Sequence, residues 1–298
     1  MRHCFVFIIL ALLLTACTGQ SAKSSLATGP VVLTSTPLLA DITRQVAGDR
    51  VQVESLLPAG SDPHSYQPTP QDAAKLSDSQ LIIVNGAGYE QFLTSLLGNA
   101  GVETKVVEAS AGIHPRMDAA GAQSPDPHMW LDPNNMIVYV ENIRDALSQL
   151  DPTGEATYKS NADAYIAKLK SLDAWISEQV GQIPPEKRML VTNHEALGYF
   201  ADRYGFTVVG TVIESFSSDA SPSAQQLAAL IDQIRSSGAP AIFLDAGDND
   251  TFAQQIADET GVQVVTDLHL ESLTKGTPAA TYLDMMKYNV TRIVNALK

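Results

Sequence analysis

The sequence predicts an α/β protein of two lobes, each a mostly parallel sheet flanked by helices, joined by one long rigid helix. Three observations predict it. Short β-branched runs alternate with amphipathic helical runs from Val31 to Leu97, and the alternation resumes at Met189. Strands separated by helices pair in parallel, because each helix serves as the crossover. Between the two stretches, Tyr158–Gln182 carries neither glycine nor proline as far as Val180 and spaces its apolar residues as a helix does. A helix of about 25 residues is ~38 Å long, enough to tie one lobe to another.

The elements follow in order. Val31–Thr36 is an apolar strand, Leu38–Ala47 an amphipathic helix and Val51–Leu57 a second strand. Pro70–Ser77 reads as a helix, since Thr69 stands as N-cap before a first-turn proline with Asp72 close behind. Leu81–Val84 is a strand and Tyr89–Leu97 a helix, and Asp132-Pro133 opens a helix running to Leu150. Tyr158, Ala162, Tyr165, Leu169, Leu172 and Ile176 line one face of the long helix, which Pro184-Pro185 ends. Beyond it, strands at Met189–Thr192, Thr207–Val212, Ala241–Leu244 and Val262–Thr266 alternate with helices at Glu195–Tyr204, Ser223–Ser236 and Asp250–Thr260. Thr281–Leu297 closes the chain as a helix.

The N-terminus carries an address. Arg2, the apolar run Phe5–Leu14 and the small residues Thr15 and Ala16 lead to Cys17, as in a lipoprotein signal. Residues 1–16 are therefore expected to be removed, Cys17 to carry the lipid, and 17–30 to form a polar tether. The apolar run falls far short of the ~20 residues that span a bilayer. The expected divisions beyond it are an N-terminal lobe at 31–155, a connecting helix at 156–183 and a C-terminal lobe at 184–298. The protein is therefore expected to be extracytoplasmic and lipid-anchored to the membrane, in the periplasm or on the outer face of the cell membrane. The two cysteines are Cys4 and Cys17, so the mature chain has no disulfide and no thiolate metal site. A net charge of −14 excludes a nucleic-acid partner, which would require a basic stripe.

Three histidines fall just beyond predicted strands or at a helix mouth. His64 lies in Ser61-Asp62-Pro63-His64, His128 in Pro125-Asp126-Pro127-His128, and His194 just past the strand Met189–Thr192. Ligands of open parallel sheets bind at the carboxyl ends of the strands, so these three converge on one crevice. Each Asp-Pro-His triplet stiffens its turn, because proline fixes its own φ and holds the preceding aspartate extended. Asp62 and Asp126 are placed to accept a ring N–H from their histidines. Adjacent Glu195 suggests a zinc protease, yet Gly198 stands where the second histidine of H-E-x-x-H belongs. A fourth, carboxylate ligand has two candidates at strand ends, Asp245 and Asp267, which spacing does not separate. His269 competes from deeper in its loop, and His114 belongs to the surface.

Together these motifs resemble the metal-binding lipoproteins that serve ABC importers of zinc and manganese. The resemblance runs through Pro58–Pro70 (PAGSDPHSYQPTP), Asp126–Asn134 (DPHMWLDPN), Val191–Tyr204 (VTNHEALGYFADRY), Ser221-Pro222-Ser223 and the stretch from Thr266 ending YLDMMKYN at Asn289. It implies His64, His128, His194 and Asp267 as the four metal ligands, and it alone prefers Asp267 to Asp245. It also implies a monomer that delivers its ion to a membrane permease with a separate ATPase subunit. Three imidazoles and a carboxylate suit four-coordinate Zn²⁺, with oxygen-preferring Mn²⁺ as the rival. A fully occupied shell leaves no corner to activate water, so the protein is expected not to be an enzyme. The competing readings are a surface metallohydrolase with an open three-histidine site and Glu195 or Glu214 as base, and an adhesin whose metal stabilises the fold.

Overall fold

The computed structural model describes residues 29–100, 106–117 and 125–298. The expected signal segment, Cys17 and the tether up to residue 28 lie outside them. Two four-stranded sheets, parallel throughout, form the frame. The first runs β2-β1-β3-β4, with β1 at Val31–Thr34, β2 at Gln52–Ser55, β3 at Leu81–Val84 and β4 at Val106–Glu108. The second repeats that order as β6-β5-β7-β8, with β5 at Met189–Thr192, β6 at Thr207–Thr211, β7 at Ala241–Asp245 and β8 at Gln263–Leu268.

Helices make every crossover between adjacent strands of the chain in each sheet. In the first half they are α1 (Pro37–Ala47), α2 (Pro70–Asp78) and α3 (Thr94–Ala100), followed by α4 (Pro133–Leu150). In the second they are α6 (Gly198–Tyr204), α7 (Ala224–Ser237) and α8 (Thr251–Thr260), with α9 (Tyr282–Leu297) returning at the end. Their starts are capped as the sequence demands: Thr69 and Asp72 form a reciprocal box on α2, and Ser223 and Gln226 do the same on α7.

Four elements differ most from the sequence expectation, among them the helix expected at Tyr89–Leu97, which is α-helical only from Thr94 and runs to Ala100. The three-residue β4 is too short to show a period, and it owes its place to pairing with Ile82–Val84. The helix expected at Glu195–Tyr204 begins only at Gly198; before it the chain makes a turn in which Ala196 N donates to the His194 carbonyl and Glu195 N to the Ser215 carbonyl. β8 runs on to Leu268, past the expected end at Thr266.

The long helix α5 occupies Glu155–Val180, 26 residues. It buries Tyr158, Ala162, Tyr165, Leu169, Leu172, Ile176 and Val180 along one stripe. That stripe belongs to one continuous apolar cluster holding Val32 and Ile83 of the first sheet and Leu190 and Phe243 of the second. Each large side chain so buried contributes roughly 1.5–3 kcal/mol. Polar bonds cross the same seam. The Trp130 indole donates to the Leu270 carbonyl at 2.8 Å, and the Tyr282 hydroxyl donates to the Trp130 carbonyl at 2.7 Å. The two sheets thus share a core, and the loops beyond their strand ends are held face to face. Among the described residues no helix is long and apolar enough to cross a membrane.

Candidate metal centre

Four side chains meet between those loops. His64 comes from the loop after β2, His128 from the turn before α4, His194 from the turn after β5, and Glu271 from the loop after β8. One ligand atom from each lies within 4.8 Å of all the others. The His128 and His194 Nε2 atoms are each 3.1 Å from Glu271 Oε1, and His64 Nε2 is 3.8 Å from Oε2. A tetrahedron of donors ~2.1 Å from a central ion has edges of about 3.4 Å, so these separations match a four-coordinate cavity. The Nε2 atoms of His64 and His128 are buried without a hydrogen bond of acceptable geometry. Buried donors or acceptors are rarely left so, and a cation between them removes the penalty.

Each ligand is held from behind. Asp126 Oδ1 accepts from His128 Nδ1 at 2.9 Å, which fixes the ring with Nε2 turned inward. Asp62 acts differently from the expectation: its Oδ1 accepts the backbone N–H of His64 at 2.8 Å, closing the turn and not touching the ring. The Tyr89 hydroxyl donates to Glu271 Oε2 at 2.7 Å. Gly198 is required by this arrangement, since a Cβ there would stand 2.6 Å from Arg116 Nε and 2.9 Å from Asp126 Oδ2.

The electrostatics describe a site waiting for positive charge. Burial alone would push His128 down, but Glu271 and Asp126 overcome it and hold the imidazole up at about 10. Burial would likewise raise Glu271, yet His128 and its fellow histidines keep this carboxylate well below its usual range. His64 is lowered, first by burial, although Glu271 opposes the shift.

Of the four ligands expected from sequence, the structure brings three together. Asp267 is not with them. It lies inside β8, and its carboxylate accepts from Tyr288 at 2.7 Å and from Arg292 Nε at 2.9 Å, both on α9. The reason is the extra length of β8: with two more residues in the strand, the first free loop carboxylate is Glu271, and Asp267 faces the outer helix. Asp245 does not join the group either. Its carboxylate accepts the Leu270 backbone N–H and so braces the loop that presents Glu271. His269 packs its ring on Tyr288, 5.5 Å between centroids, and His114 is exposed. Glu271 was missed because it follows two residues that belong to no periodic pattern. Its only sequence signal is an acid in the otherwise apolar and hydroxyl-bearing stretch Leu270–Thr274.

The sequence profile of the zinc-uptake complex component A, periplasmic, matches residues 32–296. The chain belongs to this family. It is 35% identical over 298 residues to the manganese-binding lipoprotein MntA of Halalkalibacterium halodurans, covering 98% of this chain and 97% of that one. It is 36% identical to the iron-binding protein YfeA of Yersinia pestis, covering 98% and 95% respectively. Among solved structures it is similar to the periplasmic zinc-binding protein TroA of Treponema pallidum, with a TM-score of 0.84, 28% identity, and coverage of 90% of this chain and 99% of that one. Family membership makes the chain a solute-binding protein of a metal importer, not an enzyme.

Proposed function

We propose that the chain captures one divalent transition-metal ion outside the cytoplasm, Zn²⁺ ahead of Mn²⁺, and hands it to an ABC importer. The observation that carries the reading is the closed set of three imidazoles and Glu271, with two buried nitrogens lacking partners. Nitrogen-rich, four-coordinate sites favour Zn²⁺, whereas Mn²⁺ takes more oxygen and binds more weakly at equal geometry. With all four corners supplied by protein, the ion is held and released, and no water is activated on it. Of the two carboxylates that a hydrolase would need, Glu195 lines a cavity that holds none of the four side chains, and Glu214 accepts from Gln226 at 2.8 Å.

The division into an N-terminal lobe at 31–155, a connector at 156–183 and a C-terminal lobe at 184–298 puts two ligands on each side of the crevice. Anchoring of a monomer through a lipid on Cys17 would keep it beside its partners, a membrane permease and a separate ATPase subunit. Competition titration with Zn²⁺ and Mn²⁺ tests the proposal. One equivalent of metal per chain, tighter for Zn²⁺, is expected. At metal concentrations a hundred times Kd, binding adds about 2.7 kcal/mol of stability, which for a domain of this size raises Tm by roughly 5–10 °C. A melting temperature indifferent to both metals overturns the reading.

A further inference from the structure

The loop after β6, Val212–Ser223, supplies no ligand, yet it lies over the metal centre. Its root is pinned beside a ligand, where Glu195 N, next to His194, donates to the Ser215 carbonyl at 2.9 Å. Beyond that root the Phe216 ring stands 6.4 Å from the His128 ring. The loop separates two cavities that reach the ligands from different sides. One, of about 300 Å³, touches His64 and Tyr89. The other, of about 110 Å³, touches His194 and Glu271. At the tip, the Ser218 hydroxyl donates to Asp62 Oδ2 at 2.9 Å, across 156 residues of sequence.

Asp62 therefore has two tasks. One oxygen closes the turn that presents His64, and the other holds the loop of the opposite lobe. The Gly60–His64 loop has a second fastening, from Gly60 N to Ser272 Oγ at 3.0 Å, but that one adjoins Glu271. The Ser218 contact is the fastening that can open without touching a ligand-bearing loop of the second lobe. It is also at the more accessible edge of the centre: the His64 side chain keeps 8% exposure, against 0% for His128 and 2% for His194.

We propose that the hydrogen bond from Ser218 to Asp62 is a clasp that holds the Ser215–Asp219 lid shut and sets the rate at which the ion enters and leaves. The inference rests on the metal-capture reading above and extends it to kinetics. A clasp joins the same two groups whether the site is full or empty, so its loss lowers the barrier in both directions and leaves affinity almost alone. A ligand or a brace of the filled site behaves otherwise, since its loss accelerates release only.

The test is stopped-flow exchange on the full chain in detergent, with Zn²⁺ release into excess EDTA and capture from a coloured zinc indicator, for wild type, Ser218→Ala and Ser218→Thr. Ser218→Ala is expected to speed release and capture alike by about tenfold, the effect of one hydrogen bond to a carboxylate, with Kd within about twofold. Ser218→Thr keeps the hydroxyl and should match wild type. Unchanged rates in Ser218→Ala overturn the clasp. So does faster release with unchanged capture, which makes Ser218 a brace of the bound state, and so does a threonine variant that behaves like alanine. A wild-type chain that takes up neither Zn²⁺ nor Mn²⁺ fails the underlying reading instead, and is recognised before any variant is compared.

Discussion

Glu271 carries the largest single consequence at the scale of residues. It is the only anion among the four candidate ligands; His194 Nε2 lies 3.1 Å from one of its oxygens, and Tyr89 donates to the other. Glu271→Ala is expected to weaken metal binding by more than ~100-fold, beyond what loss of an outer-shell partner costs, and to abolish the metal-dependent rise in Tm. Asp267→Ala is the companion measurement. Asp267 and its partner Arg292 are both about two-fifths exposed, so the variant should keep Kd within about twofold and lose at most ~1 kcal/mol of stability. The reverse pattern in a titration would restore Asp267 to the site. The three histidines were legible because each follows a strand or opens a helix that periodicity finds. The fourth ligand was not, because strand length is decided by pairing with a neighbour, here Asp245 with Leu268, and pairing is invisible in one sequence.

His128 gives a pH prediction of definite sign. Its folded value of about 10 lies above the ordinary 6.5, so without metal its charge stabilises the fold fully below pH 6.5, and that stabilisation is lost as pH rises through about 10. Coordination requires the neutral ring, so the ion must displace this proton. Calorimetric titrations at neutral pH in buffers of different ionisation enthalpy should therefore report about one proton released from His128 per ion bound. Heats that do not depend on the buffer would contradict this.

Elements decide how tightly the ligands are held. The late start of α6 leaves residues 193–197 as a turn that swings His194 into the crevice, and the absence of a side chain at Gly198 lets Arg116 and Asp126 pass. Gly198→Ala is expected to push this pair aside and disorient His128, weakening metal binding about tenfold, measurable by the same competition titration. The helix propensity of alanine would suggest the opposite, a gain in stability. At α2 the sequence was fully readable: the Thr69 hydroxyl and the Asp72 carboxylate cap the helix reciprocally. Thr69→Ala should cost about 1 kcal/mol in denaturant unfolding. Capping is local, so a single sequence records it. The turn before α6 depends on a bond from Glu195 to Ser215, twenty residues away, and no local pattern announces it.

For the whole molecule, the shared core limits how the lobes move. The buried stripe of α5 and the Trp130–Leu270 and Tyr282–Trp130 bonds join the lobes over a continuous surface. Loading should therefore leave the backbone within about 1 Å, and small-angle scattering should give nearly equal radii of gyration with and without metal. A large contraction would mean a hinge that this packing forbids. The two-lobed plan and the connecting helix were legible from the break in βα rhythm at Tyr158. That both sheets would share one core was not, because alternation says which elements face inward but not which elements they face.

The direction of β1 has a mechanical consequence. All the ligand loops leave from the carboxyl ends of parallel strands, whereas the chain comes into β1 at its amino end, where Gly29 is pressed against the Arg50 carbonyl. A body leashed through Cys17 would be held by its far pole, with its cargo turned toward bulk solution. Scavenging would suit that posture, but unloading into a channel of the same bilayer would require the body to roll over. The stretch from position 17 to 28 spans at most about 40 Å when drawn straight, so the length of the leash, as much as the chemistry of the pocket, would govern delivery.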